Sequence, residues 1–486
     1  MRLVRIYPRM TMGGVERHVL ELLDGFPGTE MVVPGIEGWA AQEAKKKAGK
    51  YTFIPRPRFA ETVRAIQGAD IAHIHAINND PVLAAAVQIA EPKRAIVTVH
   101  NEFDALYTEF ADQSLVFNEG LLALCASPSR TQALPYGIPL PERLSCEGRG
   151  TDCAIRLLEI RRPDKPMSCV LSDVLEHSSL KGLELEVRVV GVESTSADPR
   201  VSYLGELSDP TAHMEWADFI VHFSETETFG RVVYEAMASG ALPVVTPLPV
   251  FKEKLGLAPF AWFASDHSLD ACAKALREAI VFADRSMPLA DERSQNFAWL
   301  QSEVSANRMV DRISDVYREV ILDPAAPKSF FASDVPGNQL DHLGKLLDEV
   351  AVGDADVSIG DDDELSDTAK GVLRWVQGMD DTQPAQTRFA ALIESLRLMG
   401  PRLGILRSLG STAMELGEFE LATSALGQAI QADPFVTWPY LSLFEAQVKT
   451  SQLREALETA EALVRNIPQY AEGKALVEQL RNHLGQ

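Results

Sequence analysis

The 486 residues include only five cysteines, Cys125, Cys146, Cys153, Cys169 and Cys272, and none of them form a CxxC pair. An odd number of scattered thiols argues against a disulfide framework or a thiolate zinc site and suits a reducing compartment. Long apolar runs are missing too: no stretch approaches the ~18 uninterrupted apolar residues of a membrane-spanning helix. The opening MRLVRIYPRM has neither a long apolar core nor a small-residue cleavage site. It reads as a first strand rather than a signal peptide, so a cytoplasmic location is expected. Positive charge is in deficit, with 46 Lys and Arg against 69 Asp and Glu and a formal net charge of -23. Binding of nucleic acid along the chain, which needs clustered cations, is not expected.

What is present is a globular, multidomain composition, 46% hydrophobic and 24% charged. The length suggests roughly three domains. Apolar runs LVRIY (3–7), EMVVPG (30–35), DIAHIH (70–75) and AIVTVH (95–100) alternate with helical patterns. A second series follows, IRLLEI (155–160), EVRVVG (186–191), DFIVHF (218–223) and ALPVVT (241–246). Such alternation predicts two doubly wound α/β domains with parallel sheets, 1–140 and 141–322, hinged where Pro135, Gly137, Pro139 and Pro141 cluster. Between Asp341 and Asp381 about a dozen acidic residues face three basic ones, so 323–384 reads as a solvated acidic spacer with helical pieces.

The last part, 385–486, repeats with a period of 34: Gly417 and Ser451, Phe419 and Leu453, Ala422 and Ala456, and Pro434 and Pro468 all match at that spacing. Small residues that let two helices approach, with a proline after the second helix, describe a helix–turn–helix unit. The segment resembles tetratricopeptide repeats, with Leu406, Leu409, Gly410, Ala422, Leu426, Ala429 and Pro434 at the packing positions. The second copy departs at Phe444 and Gln447, and spacer helices including Val372 to Trp375 are candidates to complete the stack. Such a module implies a protein partner or a homo-oligomer.

The richest segment is Asp218–Thr246, DFIVHFSETETFGRVVYEAMASGALPVVT. A strand, a polar loop, a helix from about Arg231 and a new strand place the loop where doubly wound folds bind ligands. Phe229-Gly230 lets the backbone approach closely and offer N–H groups, while Glu227 and Glu235 are acceptors for hydroxyls. A nucleotide sugar carries both an anion and hydroxyls.

Ser-x-x-Glu-x-Phe-Gly-x-x-x-x-Glu followed by Ala-Met-Ala-x-Gly-x-x-Pro-Val-Val resembles the signature of the retaining glycosyltransferases of family 4, glycosyl transferases group 1, which have the two-Rossmann GT-B architecture. The resemblance covers about residues 1–322. It implies that Glu227 binds donor-sugar hydroxyls, that Glu235 binds the ribose, and that the Phe229-Gly230 backbone meets sugar or phosphate. Gly13 and Gly14, after the first strand, resemble the family's loop beside the diphosphate; Gly191 is assigned to the donor site as well. His100, in VTVHNEF, matches a histidine on the donor sugar, with His73 and His75 less direct. In place of the family's Gly-Arg-Leu and Lys-Gly clamp stands Glu159-Ile-Arg161-Arg162-Pro-Asp-Lys165-Pro, one residue shorter if Arg161 is the match. Arg161 or Arg162 with Lys165 would then hold the β-phosphate.

Asp354, Asp356 and Asp361 to Asp363 read as solvated charge rather than a metal motif, so neither a metal nor a cofactor is expected beyond the nucleotide diphosphate sugar. Lys45, Lys46, Lys47, Lys50, Arg56, Arg58 and Arg64 form a basic cluster that would serve an anionic acceptor or peripheral contact with the inner face of the membrane, or only a solvated helix face. The expectation is a retaining, metal-independent transferase to a glycan, lipid-linked or protein acceptor, in cell-envelope or surface polysaccharide synthesis. The alternatives are a degenerate transferase scaffold bearing repeats and a nucleotide-sugar epimerase on the same architecture.

Overall fold

The computed structural model describes residues 1–11, 13–55, 58–75, 80–100, 108, 110–125, 127, 130–144, 154–194, 198–286, 289–322, 335–351, 364–468, 470 and 472–484. The acidic triplets, Arg56, Cys146 and Cys153 lie outside them. Two compact units emerge, one of Met1–Val116, Leu121–Ala133 and Ser314–Gln486, the other of Phe117–Gly120 and Leu134–Ile313.

In chain order the first unit's strands are β1 (Leu3–Ile6), β2 (Arg9–Met10), β3 (Glu30–Pro34), β4 (Ile36–Glu37), β5 (Lys50–Ile54), β6 (Ile71–His75), β7 (Arg94–Thr98), β8 (Gln113–Val116) and β9 (Thr131–Ala133). Apart from the small β2–β4 pair, they form a seven-stranded parallel sheet in the order β5-β3-β1-β6-β7-β8-β9. The second unit holds β10 (Ile155–Ile160), β11 (Leu185–Val190), β12 (Val201–Tyr203), β13 (Phe219–His222), β14 (Leu242–Val245) and β15 (Trp262–Phe263). Their parallel order is β12-β11-β10-β13-β14-β15. Both sheets reverse direction beside their first strand, at β1–β6 and at β10–β13, which is where doubly wound folds open a ligand crevice.

Burial explains the strand sequences. Parallel strands are covered on both faces, so β6, β13 and β14 are buried at every position and are mostly apolar, interrupted by His73 and His75 in β6 and by His222 at the end of β13. The segment the sequence marks as the hinge is instead packed within the second unit. Tyr136 stacks on Phe117 at 3.6 Å, and Ile138 is fully buried with its N–H donating to Val304 O at 2.7 Å.

From Leu340 onward, eight helices follow among the described residues: Leu340–Ala351, Asp367–Met379, Ala385–Met399, Leu403–Leu416, Phe419–Ala432, Thr437–Lys449, Leu453–Asn466 and Gly473–Leu484. The starts at 403 and 437, and at 419 and 453, are each 34 residues apart, the period read in the sequence. At Gly410 an added Cβ would come within 2.7 Å of Leu426 Cδ2, so only a residue without a side chain allows that pair its spacing.

The acidic stretch differs from a solvated spacer. Among the described residues Asp341, Glu349, Glu364 and Asp367 are exposed, but Leu343, Leu347, Val372, Leu373 and Trp375 enter the same hydrophobic core as Phe59, Val63, Val82 and Leu83 of the first unit. Phe59 N–H donates to Asp348 at 3.3 Å, Arg64 pairs with Asp341 at 2.7 Å, and the Trp375 indole donates to Gly404 O at 3.3 Å. The helices are therefore part of the first unit's core. Trp375→Ala is expected to destabilise that unit by about 3–5 kcal/mol, the usual cost of emptying a large buried site. Hydrogen exchange in β6 and β7 should accelerate together with that of the helices; acceleration confined to the helices would show that the core is not shared.

Candidate functional site

The second unit's site grows from the C-terminal ends of β10 and β13. Beyond β10, residues 161–165 form a turn closed by Lys165 N–H to Arg162 O at 3.2 Å. This turn is stitched to the loop after β13: Ser168 N–H donates to Phe223 O at 2.8 Å, and Glu225 N–H to Pro166 O at 3.2 Å. Inside the loop, Ser224 Oγ donates to Thr226 O at 2.8 Å, and Thr246 Oγ1 donates to Ser224 O at 2.7 Å. A signature loop and a clamp turn separated by some sixty residues thus become one backbone assembly.

The stitching delivers Lys165 to Glu227. Lys165 Nζ lies 3.0 Å from Glu227 Oε1, and His222 Nε2, on the last residue of β13, lies 2.7 Å from the same oxygen. Burial favours a neutral carboxyl, yet the hydrogen bond from His222, together with the charge and hydrogen bond of Lys165, holds Glu227 below the usual carboxylate range. Glu227 is an ionised acceptor that is ready before any substrate arrives.

The other expected residues are placed as follows. Arg161 lies 3.3 Å from Glu159, a buried carboxylate that burial pushes up despite Arg161. Arg162 is exposed and lies 3.5 Å from Asp164. Lys165 is thus the only one of the three that reaches Glu227 in the contacts described. Gly191 ends β11 with φ +93°, and a Cβ there would sit 2.1 Å from the Arg161 carbonyl oxygen; its absence lets the clamp turn lie over β11. Gly230 has φ +78°, and a Cβ would strike the Phe251 ring at 2.3 Å. Phe229 is buried and stacks on Tyr234 at 4.5 Å, so its side chain anchors the loop. One turn into the helix Arg231–Ala238, Glu235 accepts from Arg231 Nε at 2.7 Å.

On the first unit, Gly13 and Gly14 open the helix Gly14–Gly25. The space a Cβ would take at Gly13 is filled by the Glu16 carboxylate, 2.7 Å away, which also accepts from Thr11 at 2.8 Å. An acid thus stands at this helix N-terminus, which makes it less ready for an anion than the sequence implies. His100 follows β7, is nearly fully buried, and has its pKa pushed down to about 3 by burial. It is neutral at physiological pH and suited to hydrogen-bond a hydroxyl. His73 is structural: Arg5 Nη1 is 3.0 Å from its Nδ1, and Thr98 Oγ1 is 2.6 Å from Nε2.

His18, His75 and His100 are the one group among the described residues with metal-ligand spacing, their ligand atoms lying within 4.8 Å of one another. Zinc bonded at ~2.0–2.1 Å in a tetrahedron requires nitrogens about 3.4 Å apart, so the rings would have to close inward. The buried Arg5 cation stands behind His73, which stacks on His75 at 4.2 Å, and opposes a dication. The residues fit a neutral imidazole wall better than a metal site.

The basic cluster is largely compensated: Lys45 pairs with Glu37, Lys46 with Glu43, Lys47 with Asp24, Arg58 with Glu61 and Arg64 with Asp341. No helix among the described residues is long and apolar enough to cross a membrane.

Residues 170–280, which carry β11 to β15 and the Glu227 loop, match the family described as glycosyl transferases group 1. Anabaena Alr3699/HepE in complex with UDP-glucose superposes with a TM-score of 0.56 at 14% identity, covering 66% of this chain and 100% of its own. The fold is GT-B. A glycosyltransferase from Rickettsia africae ESF-5 gives a TM-score of 0.54 at 17% identity, covering 66% of this chain and 99% of its own. Sucrose-phosphate synthase from Thermosynechococcus elongatus gives 0.50 at 14%, again covering 66% and 99%. No curated protein sequence matches the chain.

Within this GT-B chain, sequence reasoning missed His222, Glu159 and Asn118, whose Nδ2 donates to Thr228 O at 2.6 Å. The available signal was a polar residue interrupting the apolar runs IRLLEI and DFIVHF at the strand end. The buried histidines also have a consequence for stability. His73, His75 and His100 are all held below their ordinary value, mainly by burial, so the unfolded chain binds these protons first. Their contribution is fully present above pH ~6.5 and is lost progressively as pH falls below it, at no more than about 1.4 kcal/mol per pH unit for each histidine. Urea denaturation should therefore show stability declining below pH 6.5, ahead of carboxylate titration; a flat profile from pH 7 to 5 would contradict this.

Proposed function

We propose that this protein is a retaining glycosyltransferase that takes a sugar from a nucleotide diphosphate donor, with the donor held on the second unit. The observation that carries the reading is Glu227, kept ionised beside Lys165 at the β10–β13 switch point within the matched segment 170–280. A carboxylate accepts sugar hydroxyls, a lysine offers a point charge to a departing diphosphate, and two loops stitched together by backbone hydrogen bonds supply them. Glu235 takes the ribose, Arg161 or Arg162 assists Lys165 at the β-phosphate, and His100 orients the sugar. The diphosphate leaves and the acceptor attacks an oxocarbenium-like centre from the same face, its proton passing to the leaving phosphate. No protein nucleophile is assigned.

The helices from Leu340 onward support a tetratricopeptide-like module serving a protein acceptor, a partner or a second copy. Peripheral membrane contact through Lys45–Arg64 is less supported, since five of its seven cations already hold carboxylates. Pairing of Arg161 with Glu159 favours a second reading, a degenerate transferase scaffold; nucleotide affinity by calorimetry separates the two.

UDP-glucose is the first donor to test, beside GDP- and ADP-sugars, because the Anabaena neighbour is in complex with it. Glu235→Ala is expected to weaken nucleotide binding by about tenfold, a lost charge-assisted hydrogen bond, while Glu227→Ala lowers turnover by about a hundredfold. Negligible effects of both would reject the site. Donor turnover should persist in EDTA, because side-chain cations meet the diphosphate; full loss restored by manganese would point to a metal instead.

A further inference from the structure

We infer that His222 is the permanent partner that keeps the Glu227 carboxylate aimed at the donor sugar, and that Lys165 is an exchangeable partner that leaves it for the donor diphosphate. The inference rests on the donor-site reading of Glu227. His222 is a positioning residue, acting through Glu227 without touching the sugar.

Both groups contact the same oxygen, Oε1, at 2.7 and 3.0 Å. Oε2 has no hydrogen-bond partner among the described residues and remains open to a hydroxyl. The two partners differ in freedom. The His222 side chain is 3% exposed, on a strand paired with β10 and β14, with the Phe251 ring edge-on at 6.1 Å. Lys165 is 19% exposed, on a turn, with a flexible four-carbon stem and a compact charge. A carboxylate can only accept, so His222 must carry its proton on Nε2. That leaves Nδ1, buried without a hydrogen-bond partner, as a lone pair, which is less costly to bury than an unpaired N–H.

An arriving diphosphate is the denser negative charge and draws Lys165 away. Were Lys165 the sole partner, Glu227 would become a buried, uncompensated carboxylate beside an incoming anion; it would take up a proton and lose its value as an acceptor. The His222 hydrogen bond prevents this. Lys165 thus shields the empty site and clamps the filled one, while His222 holds the geometry throughout.

The test uses the full chain with UDP for affinity and UDP-, GDP- and ADP-glucose for turnover. His222→Leu should lower kcat by about 30- to 100-fold with the Kd for UDP within about twofold, and His222→Gln, whose amide nitrogen replaces Nε2, should recover to within about fivefold of wild type. Lys165→Met should weaken UDP by about tenfold or more. Melting temperatures identify any variant that fails to fold. His222→Leu and His222→Gln equally impaired, or His222→Leu turning over like wild type while Glu227→Ala is slow, overturns the inference and leaves the donor site standing. Unchanged UDP affinity in Lys165→Met overturns the exchange. Wild-type behaviour of Glu227→Ala, or no donor turned over by the wild-type chain, overturns the donor-site reading itself.

Discussion

Parallel strands can be joined only by crossing a sheet face, and that constraint organises each unit of this protein. Most crossovers put a helix on a face, so the central strands become largely apolar and all strand C-termini collect at one edge. Polar chemistry then has a single place to go. In the second unit it goes to the ends of β10 and β13, where the winding reverses; in the first, Gly13 comes after β1 and β2, His75 ends β6 and His100 lies just past β7. The same constraint leaves outer helix faces to be covered. Over Phe59–Ile66 and Pro81–Ala90 the covering is made by helices from the acidic stretch and the repeats, which explains why Trp375 is among the largest fully buried side chains.

Electrostatics decides how the charged groups at the strand ends of the second unit are held. Glu227 is compensated by Lys165 and His222, Arg161 by Glu159, and Glu235 by Arg231. A buried charge left alone is costly, so each is paired with a neighbour of opposite charge or a hydrogen-bond donor. On the first unit the solution is the opposite: the histidines are neutral and meet one another as rings. Neutral imidazoles suit hydroxyls, and charged pairs suit phosphates.

Much of this was legible along the chain. The alternating apolar runs located the central strands, and the spacing of Glu227, Phe229, Gly230 and Glu235 located the loop and its helix, because local periodicity and turn chemistry act over a few residues. The 34-residue repeat appeared as the two equal helix offsets. The acidic stretch did not show itself: its charges suggested solvation, while its apolar residues at helical spacing were too few to reveal what they would cover. Nor did the LPYGIP segment, whose prolines and glycine look like a hinge but whose Ile138 pairs with Val304.

By itself the sequence determined the two doubly wound sheets, the loop that carries Glu227 with the helix that carries Glu235, and the 34-residue helical period, since each follows from residues close together in the chain. Only the tertiary structure decided which charges meet. Lys165 and Glu227 are 62 residues apart, and they touch because backbone bonds between two strand-end loops bring them there. His222 has a role because its strand end lies beneath that junction. Helices from Leu340 onward belong to the first unit because Phe59, Val63 and their neighbours form an apolar face that water would otherwise cover, and burial acts on space rather than on sequence distance.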